Sequence, residues 1–394
     1  MSITLDGRGS SIFASSRREA RSRSIYRGFD RFDFLMAFAA IGLVVFGLVL
    51  IYSGSSRVYS GPVTSFSNPV AKQAIFAIFG LGVMLVVSKF DYHYLIHYSP
   101  VLYGLSIISL LAILAMGHSA YGSTRWFDVG PIQIQPSEFA KLATILLLAR
   151  FFSEHGGDAK DLRSLLISLL IVLPCTLLVF VQPDLGTSIV FLSIWLGVVV
   201  VAGVSRGHLM VLAAVGIALL PFVWTFGVAD YQVERISVLI DPEEDPLDAG
   251  YNVIQAQIAV GSGQIWGKGL TNGEQTQLRY LKVPTKDFIF SVLGEELGFA
   301  GAMVLFALFI LLLMRGIRAA QIAGDVAGQL VAVGIVVLIL MQTFINIAVN
   351  VSLFPVTGIP LPLVSQGGSS LVSIFLSLGI LQSIVMRHRA YRQS

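Results

Sequence analysis

The chain reads as an all-α polytopic membrane protein of about ten transmembrane helices, with one large extracytoplasmic loop between the seventh and the eighth. Three observations predict this. Apolar residues make up 55% of the sequence and charged residues only 12%, which departs from soluble averages toward the membrane class. Apolar runs of roughly 20 residues recur along the chain, each long enough to cross a ~30 Å hydrocarbon core as a helix. The basic residues are also clustered: Arg8, Arg17, Arg18, Arg21, Arg23, Arg27 and Arg31 crowd the first tail, and Arg387, Arg389 and Arg392 close the last. In a polytopic chain such tails read as cytoplasmic anchors rather than as a nucleic-acid surface.

Apolar windows bounded by charges or Pro/Gly clusters place the spans at 34–52, 70–87, 96–116, 136–152, 165–181, 185–204, 208–226, 288–314, 328–353 and 363–385. The fifth and sixth are separated only by Gln182-Pro183-Asp184. The Pro, and the need to keep basic loops on one side, make them two helices. With the first tail inside, the inner ends collect Lys89, Arg150, Lys160, Arg163, Arg206, Arg315 and Arg318, whereas the outer loops and their margins hold Arg57, Lys72 and Arg125. Both termini are therefore expected in the cytoplasm. The domain division that follows is a basic tail over 1–32, one membrane domain over 33–386 that includes an outer loop at 227–286, and a short tail over 387–394. A loop of roughly 60 residues is too long for a connector and is usually functional. No short apolar segment with a small-residue cleavage site follows the first tail, so no removable signal peptide is expected. The single cysteine, Cys175, lies in an apolar run and reads as a packing residue. Two related halves with matched broken helices, the mark of many carriers, are not evident.

Four polar constellations interrupt the spans. Arg125-Trp126-Phe127-Asp128 leads through Gln135-Pro136-Ser137 into a helix with Glu138 and Lys141, whose spacing of three puts them on one face where they can pair. Such a pair is either structural or part of a site, and charges inside a membrane span tend to be functional. Gln182-Pro183-Asp184-Leu185-Gly186-Thr187 reads first as a tight turn with Asp184 as N-cap. In the long loop, Asp241-Pro242-Glu243-Glu244-Asp245-Pro246 lacks the oxygen spacing of a calcium loop. The segment 251–260 reads as a short amphipathic helix, lying on the membrane surface or dipping into it. The glycines from Gly261 to Gly269 lack P-loop spacing and read as a flexible turn, though with Lys268 they could approach a phosphate.

Asp287 is expected in the first turn of the eighth span, where it either complements the helix N-terminus or serves as a general base. Partial burial would raise its pKa while Lys282 and Lys286 would lower it. Glu295 and Glu296 follow inside the span as internal partners. Last, Gln342, Asn346 and Asn350 recur at four-residue steps, so they form one stripe that can glue helices by hydrogen bonds. The stripe leads into a Pro/Gly/Ser run, 355–370, that resists regular helix and needs a protein-lined or wet setting.

Taken in order, these motifs resemble the SEDS family of bacterial cell-wall proteins, the RodA/FtsW group. The likeness rests on Arg125-Trp126 with Gln135-Pro-Ser-Glu-Phe-Ala-Lys141, Gln182-Pro-Asp-Leu-Gly186, Asp241-Pro with Asp245-Pro and Gly250-Tyr-Asn252, Asp287-Phe-Ile-Phe290 with Glu295-Glu-Leu-Gly298, and Thr357-Gly-Ile-Pro-Leu-Pro362 with Gly367-Gly-Ser-Ser370. The wording at 359–362 and 250–254 is similar to the elongation branch rather than the division branch. Two departures stand out: Thr285-Lys286 where the family commonly has His-Thr, and Gln366 where it has Tyr.

The resemblance implies a ten-helix peptidoglycan glycosyltransferase of the bacterial inner membrane. It would polymerise lipid II into a growing glycan strand on the outer face, beside a class B penicillin-binding transpeptidase and membrane lipids. It places the essential carboxylate at Asp287 and a paired Glu and Lys at Glu138 and Lys141. Substrate contacts are expected from Arg125, Trp126, Glu138, Lys141, Asp184, Lys268, Lys286, Asn346, Ser365 and Ser369. No cofactor is evident, and a divalent cation is left open. Two other readings compete: a carrier that flips the lipid-linked precursor, and a non-catalytic scaffold for wall enzymes.

Overall fold

The computed structural model describes residues 31–56, 68–116, 125–130, 132–154, 161–226, 230–242, 249–281 and 283–387. Arg8 to Arg27, Arg57, Lys160, Glu243 to Pro246, Lys282, Arg389 and Arg392 lie outside the described residues.

Helices α1 (Phe34–Ser55) and α2 (Pro69–Lys89) start at side-chain caps, Asp33 accepting from the Met36 N–H and Asn68 from the Val70 N–H. Each cap satisfies a donor that a helix start would leave bare. The short α3 (Tyr92–His97) precedes α4 (Ser99–Met116), so the span expected from Ile96 is broken at Tyr98. A hairpin of β1 (Phe127–Val129) and β2 (Ile132–Ile134) pairs Phe127 with Ile134 and Val129 with Ile132. This small antiparallel ribbon adds two three-residue strands to an otherwise mostly helical fold. Then come α5 (Pro136–Glu154), α6 (Leu162–Val181), α7 (Leu185–Val201) and α8 (Arg206–Phe226).

The long loop is largely helical where it is described: α9 (Asp230–Ile240), α10 (Ala249–Ser262) and the one-turn α11 (Glu274–Gln277). The amphipathic segment expected at 251–260 is α10. Three further helices close the chain, α12 (Ile289–Ile322), α13 (Val326–Asn350) and α14 (Gly368–Arg387), the last starting later than the span expected from Leu363 because 351–367 is irregular.

Among the described residues, α1, α2, α6, α12, α13 and α14 are long and apolar enough to cross a membrane. Helices α4 and α7 are apolar but contribute shorter stretches. The most enclosed helix is α14, packed on α2 and touching α5, α12 and α13; α12 packs between α1 and α13, and α7 lies between α6 and α13. Cys175 is wholly buried.

Helix α12 is not continuous. At Gly298 the backbone takes φ 62° and ψ −160°, a region essentially reserved for glycine. The break strips the Phe299 and Ala300 N–H groups of their helical acceptors, the carbonyls of Glu295 and Glu296. The segment from Gly263 to Gly269 repairs all of these groups. Phe299 N–H donates to the Gln264 carbonyl at 2.8 Å and Ala300 N–H to the Ile265 carbonyl at 2.9 Å, while Lys268 and Gly269 N–H groups donate to the carbonyls of Glu295 and Glu296, both at 2.9 Å. A side chain at Gly263 would stand 1.8 Å from the Gly294 carbonyl oxygen. These glycines are therefore a close-packed backbone junction and not the flexible turn that composition suggests.

Candidate active site

Asp287 lies just before α12, whose N-cap is Phe288. It is thus outside the first helical turn, contrary to expectation, and the strip that carries it is held by side chains instead. The Asp287 carbonyl accepts from Asn346 Nδ2 at 3.2 Å and Asn350 Nδ2 at 2.9 Å. Asn350 Oδ1 in turn accepts from the Ser291 N–H at 2.9 Å and Ser291 Oγ at 2.7 Å. The stripe on α13 therefore grips both ends of the turn into α12. On the other side, Ser365 Oγ donates to the Lys286 carbonyl at 2.6 Å, and the Gln366 N–H donates to the Thr285 carbonyl at 2.9 Å. Thr285 Oγ1 lies 2.8 Å from Gln366 Oε1, so the two positions that depart from the family wording touch.

The Asp287 carboxylate is half-buried and faces Gly358. A Cβ built on Gly358 would be 4.0 Å from Asp287 Oδ2 and 3.5 Å from Arg125 Nη1, so the acid and the guanidinium flank the same residue. With φ +75°, Gly358 is in the left-handed region that favours glycine. Arg125, 7% exposed, is pinned by α6 and α7: Nε donates to the Gln182 carbonyl at 3.2 Å, Nη2 to the Pro183 carbonyl, and Nη1 lies 3.8 Å from Asp184 Oδ2. Asp184 caps α7 as expected, accepting from the Thr187 N–H. Arg235 on α9 donates to the Val356 carbonyl at 2.7 Å.

These charges decide the electrostatics of the acid. Burial pushes the Asp287 carboxyl above the ordinary carboxylate range, Lys286, Arg125 and Arg235 pull it back in that order, and Asp184 adds to the rise. The net direction is upward. Lys286 is exposed beside it, and Trp126 is half-buried at the head of the hairpin. Asn346 Oδ1 and Thr357 Oγ1 are buried without a hydrogen-bond partner among the described residues. Buried acceptors and donors left this way are costly unless something meets them.

The remaining expected site residues sit elsewhere. Lys141 Nζ and Glu138 Oε1 are 2.7 Å apart, with side chains 1% and 2% exposed, and Ser373 Oγ on α14 donates to Glu138 Oε2 at 3.1 Å. The pair is enclosed, so in this conformation it joins α5 to α14 without facing solvent. Ser369 Oγ accepts from the Gln135 N–H and donates to the Gln133 carbonyl, tying the hairpin to the start of α14. Lys268 turns to Glu295 at 3.3 Å and Glu274 at 3.4 Å. Glu295 also accepts from the Gln275 and Thr276 N–H groups, and Glu296 accepts from Ser53 Oγ at 2.7 Å, so both serve as internal partners. Sequence reasoning assigned no role to Arg235 or Ser373; Ser373 carries a signal, the four-step run Ser369, Ser373, Ser377 on one face of α14. Among the described residues no three His, Cys, Asp or Glu side chains gather as metal ligands.

Comparison with known proteins gives a consistent result. The family model for FtsW, RodA and SpoVE, described as "Cell cycle protein", matches residues 33–390. The peptidoglycan glycosyltransferase MrdB of Escherichia coli K12 is 42% identical over 305 residues, 77% of this chain and 82% of that protein. A chain from a solved peptidoglycan synthase complex, described as structural coordination of polymerization and crosslinking, superposes with TM-score 0.75 at 30% identity over 92% of this chain and 99% of that chain. The crystal structure of the rod shape determining protein RodA of Thermus thermophilus gives TM-score 0.66 at 27% identity, over 92% of this chain and 98% of that one.

Proposed function

This chain belongs to the FtsW/RodA/SpoVE family, and from that premise we propose that it is a peptidoglycan glycosyltransferase that polymerises lipid II into glycan strands during cell elongation. The observation that carries the mechanism is the immobilised, half-buried Asp287 with Arg125, Arg235 and Lys286 around it. Asp287 takes the proton of an acceptor-sugar hydroxyl as that oxygen bonds to the donor's anomeric carbon. The bond from that carbon to the lipid pyrophosphate breaks, and the pyrophosphate leaves on its lipid. A base with a raised pKa suits the first event, and fixed cations suit the second, because they meet negative charge as it develops. Lys286, exposed beside Asp287, and Arg125, which flanks Gly358 together with that acid, are assigned this role by proximity, whereas Lys268 faces Glu295. Asn346 and Thr357 are assigned to sugar hydroxyls through their unpartnered polar atoms, and Trp126 and Ser365 are assigned to substrate contact as well. Asp184 holds Arg125; Glu138, Lys141 and Ser369 hold α14 and the hairpin in register.

In this reading the membrane domain spans 33–386 and crosses about ten times. The tails at 1–32 and 387–394 are cytoplasmic, and the loop at 227–286 and the site face outward in the bacterial inner membrane. The match to a chain of a synthase complex that couples polymerization to crosslinking supports a class B penicillin-binding transpeptidase as partner. The deciding experiment incubates purified protein in liposomes with lipid II and separates products by size. Polymer is expected; head-group transfer across the bilayer without polymer would favour a flippase, and neither product would favour a scaffold.

A further inference from the structure

Two polar rungs bracket the apolar part of α1 and α12. At one end Arg315 Nη2 meets Asp33 Oδ2 at 2.6 Å; at the other, Ser53 Oγ meets Glu296 Oε1 at 2.7 Å. Along α1 the rungs are about 20 residues apart, and along α12 about 19, or ~30 Å at 1.5 Å per residue. Residues 34–51 and 297–314 between them carry no charged or hydrogen-bonding side chain. Both helices thus measure one hydrocarbon thickness, and the rung at Ser53 and Glu296 marks its edge on the Asp287 side.

The junction at Gly298 lies at that edge. The Thr271 N–H donates to the same Ser53 Oγ at 3.1 Å, so the segment 263–271 is fixed at this depth. Its tip presents Ile265 and Trp266, 61% and 81% exposed, beside Phe299, 59% exposed on the apolar stretch of α12. A non-helical backbone at this depth needs partners for its polar groups, and the hydrogen bonds across Gly298 supply them for the Gln264 and Ile265 carbonyls and the Lys268 and Gly269 N–H groups. An indole at the boundary has its apolar body in hydrocarbon and its N–H among head groups. Continuity with the span surface and the depth estimated from the helix rise both favour lipid over a protein partner.

We propose that the Ile265–Trp266 tip is a lipid-binding surface that seats the 263–269 segment in the phospholipid interface on the Asp287 side of the bilayer. The inference needs the membrane reading but not the catalytic one. The single, buried Cys175 makes a spin-label test direct. Full-length protein carrying Cys175→Ala with Trp266→Cys is labelled with a nitroxide, placed in phospholipid nanodiscs and compared with Cys175→Ala with Asp128→Cys, on the exposed hairpin. The label at 266 is expected to collide with oxygen in preference to a water-soluble nickel chelate, with a ratio several-fold above that at 128. A label reached preferentially by the nickel chelate, as at 128, would put the tip in water and overturn the proposal. A label shielded from both would mean a protein cover and would overturn it as well. Because 266 is exposed, the variant is expected to fold; quenching of wild-type against Trp266→Phe fluorescence by shallow brominated lipids measures the same depth without a label.

Discussion

Lys141→Met tests whether the enclosed pair on α5 holds the bundle together. The ammonium stands 2.7 Å from Glu138 with both side chains almost wholly buried, and Ser373 also bonds the carboxylate. Removing one partner leaves a buried charge uncompensated, at a cost of about 3–5 kcal/mol. That is about two to four powers of ten in the folding equilibrium. Glu138→Gln with Lys141→Met removes both charges, and neutral replacements of a buried pair are often tolerated. The double variant should therefore be more stable than Lys141→Met alone, with a coupling energy of at least ~1 kcal/mol. Unfolding of the purified protein in detergent, followed by tryptophan fluorescence, gives the three free energies. Single variants costing under ~1 kcal/mol each, or strictly additive losses, would refute the reasoning.

Four further outcomes follow from the geometry. Activity needs ionised Asp287, whose pKa is raised by burial and lowered by Lys286, Arg125 and Arg235; polymerisation should therefore fail on acidification through a value above the ordinary 3.8, and Arg125→Gln should move that limb to higher pH in a rate profile. The stability sign is opposite: a folded pKa above the unfolded one contributes stability at low pH that is lost as pH rises through it, so Asp287→Asn should unfold no more easily than wild type at neutral pH. Asn350→Ala removes one of the two amides that hold the Asp287 carbonyl, and the acceptor of Ser291; about 1–3 kcal/mol should be lost, and steady-state kinetics should show kcat falling with little change in KM. Gly298→Ala forces a side chain into φ 62° with its Cβ 2.4 Å from Gly267 N; strain of about 1–3 kcal/mol should loosen the junction and speed proteolysis at 263–269.

Much of the site was legible because its signals are local. Three residues on a helix put Lys141 over Glu138, and a Pro-Asp turn ahead of an apolar run marks Asp184 as a cap. The four-step stripe identified Asn346 and Asn350 as hydrogen-bonding glue, though not that Asp287 itself is what they hold. What could not be read depends on distant segments meeting. Glycines 263–269 look like slack chain until they are set against the helix break at Gly298, which no local pattern connects to them. Lys268 looks like a phosphate ligand until Glu295 is found across from it. Arg235 sits in a polar loop helix, and its contact with Val356, far away in sequence, brings it toward the acid.

The central claim is that Asp287 performs the proton transfer of glycan polymerisation. Wild type and Asp287→Asn, reconstituted in parallel at equal amounts in liposomes with lipid II, should differ completely: glycan chains from the first, unreacted lipid II from a folded second. Polymer formed at the wild-type rate by Asp287→Asn would contradict the account.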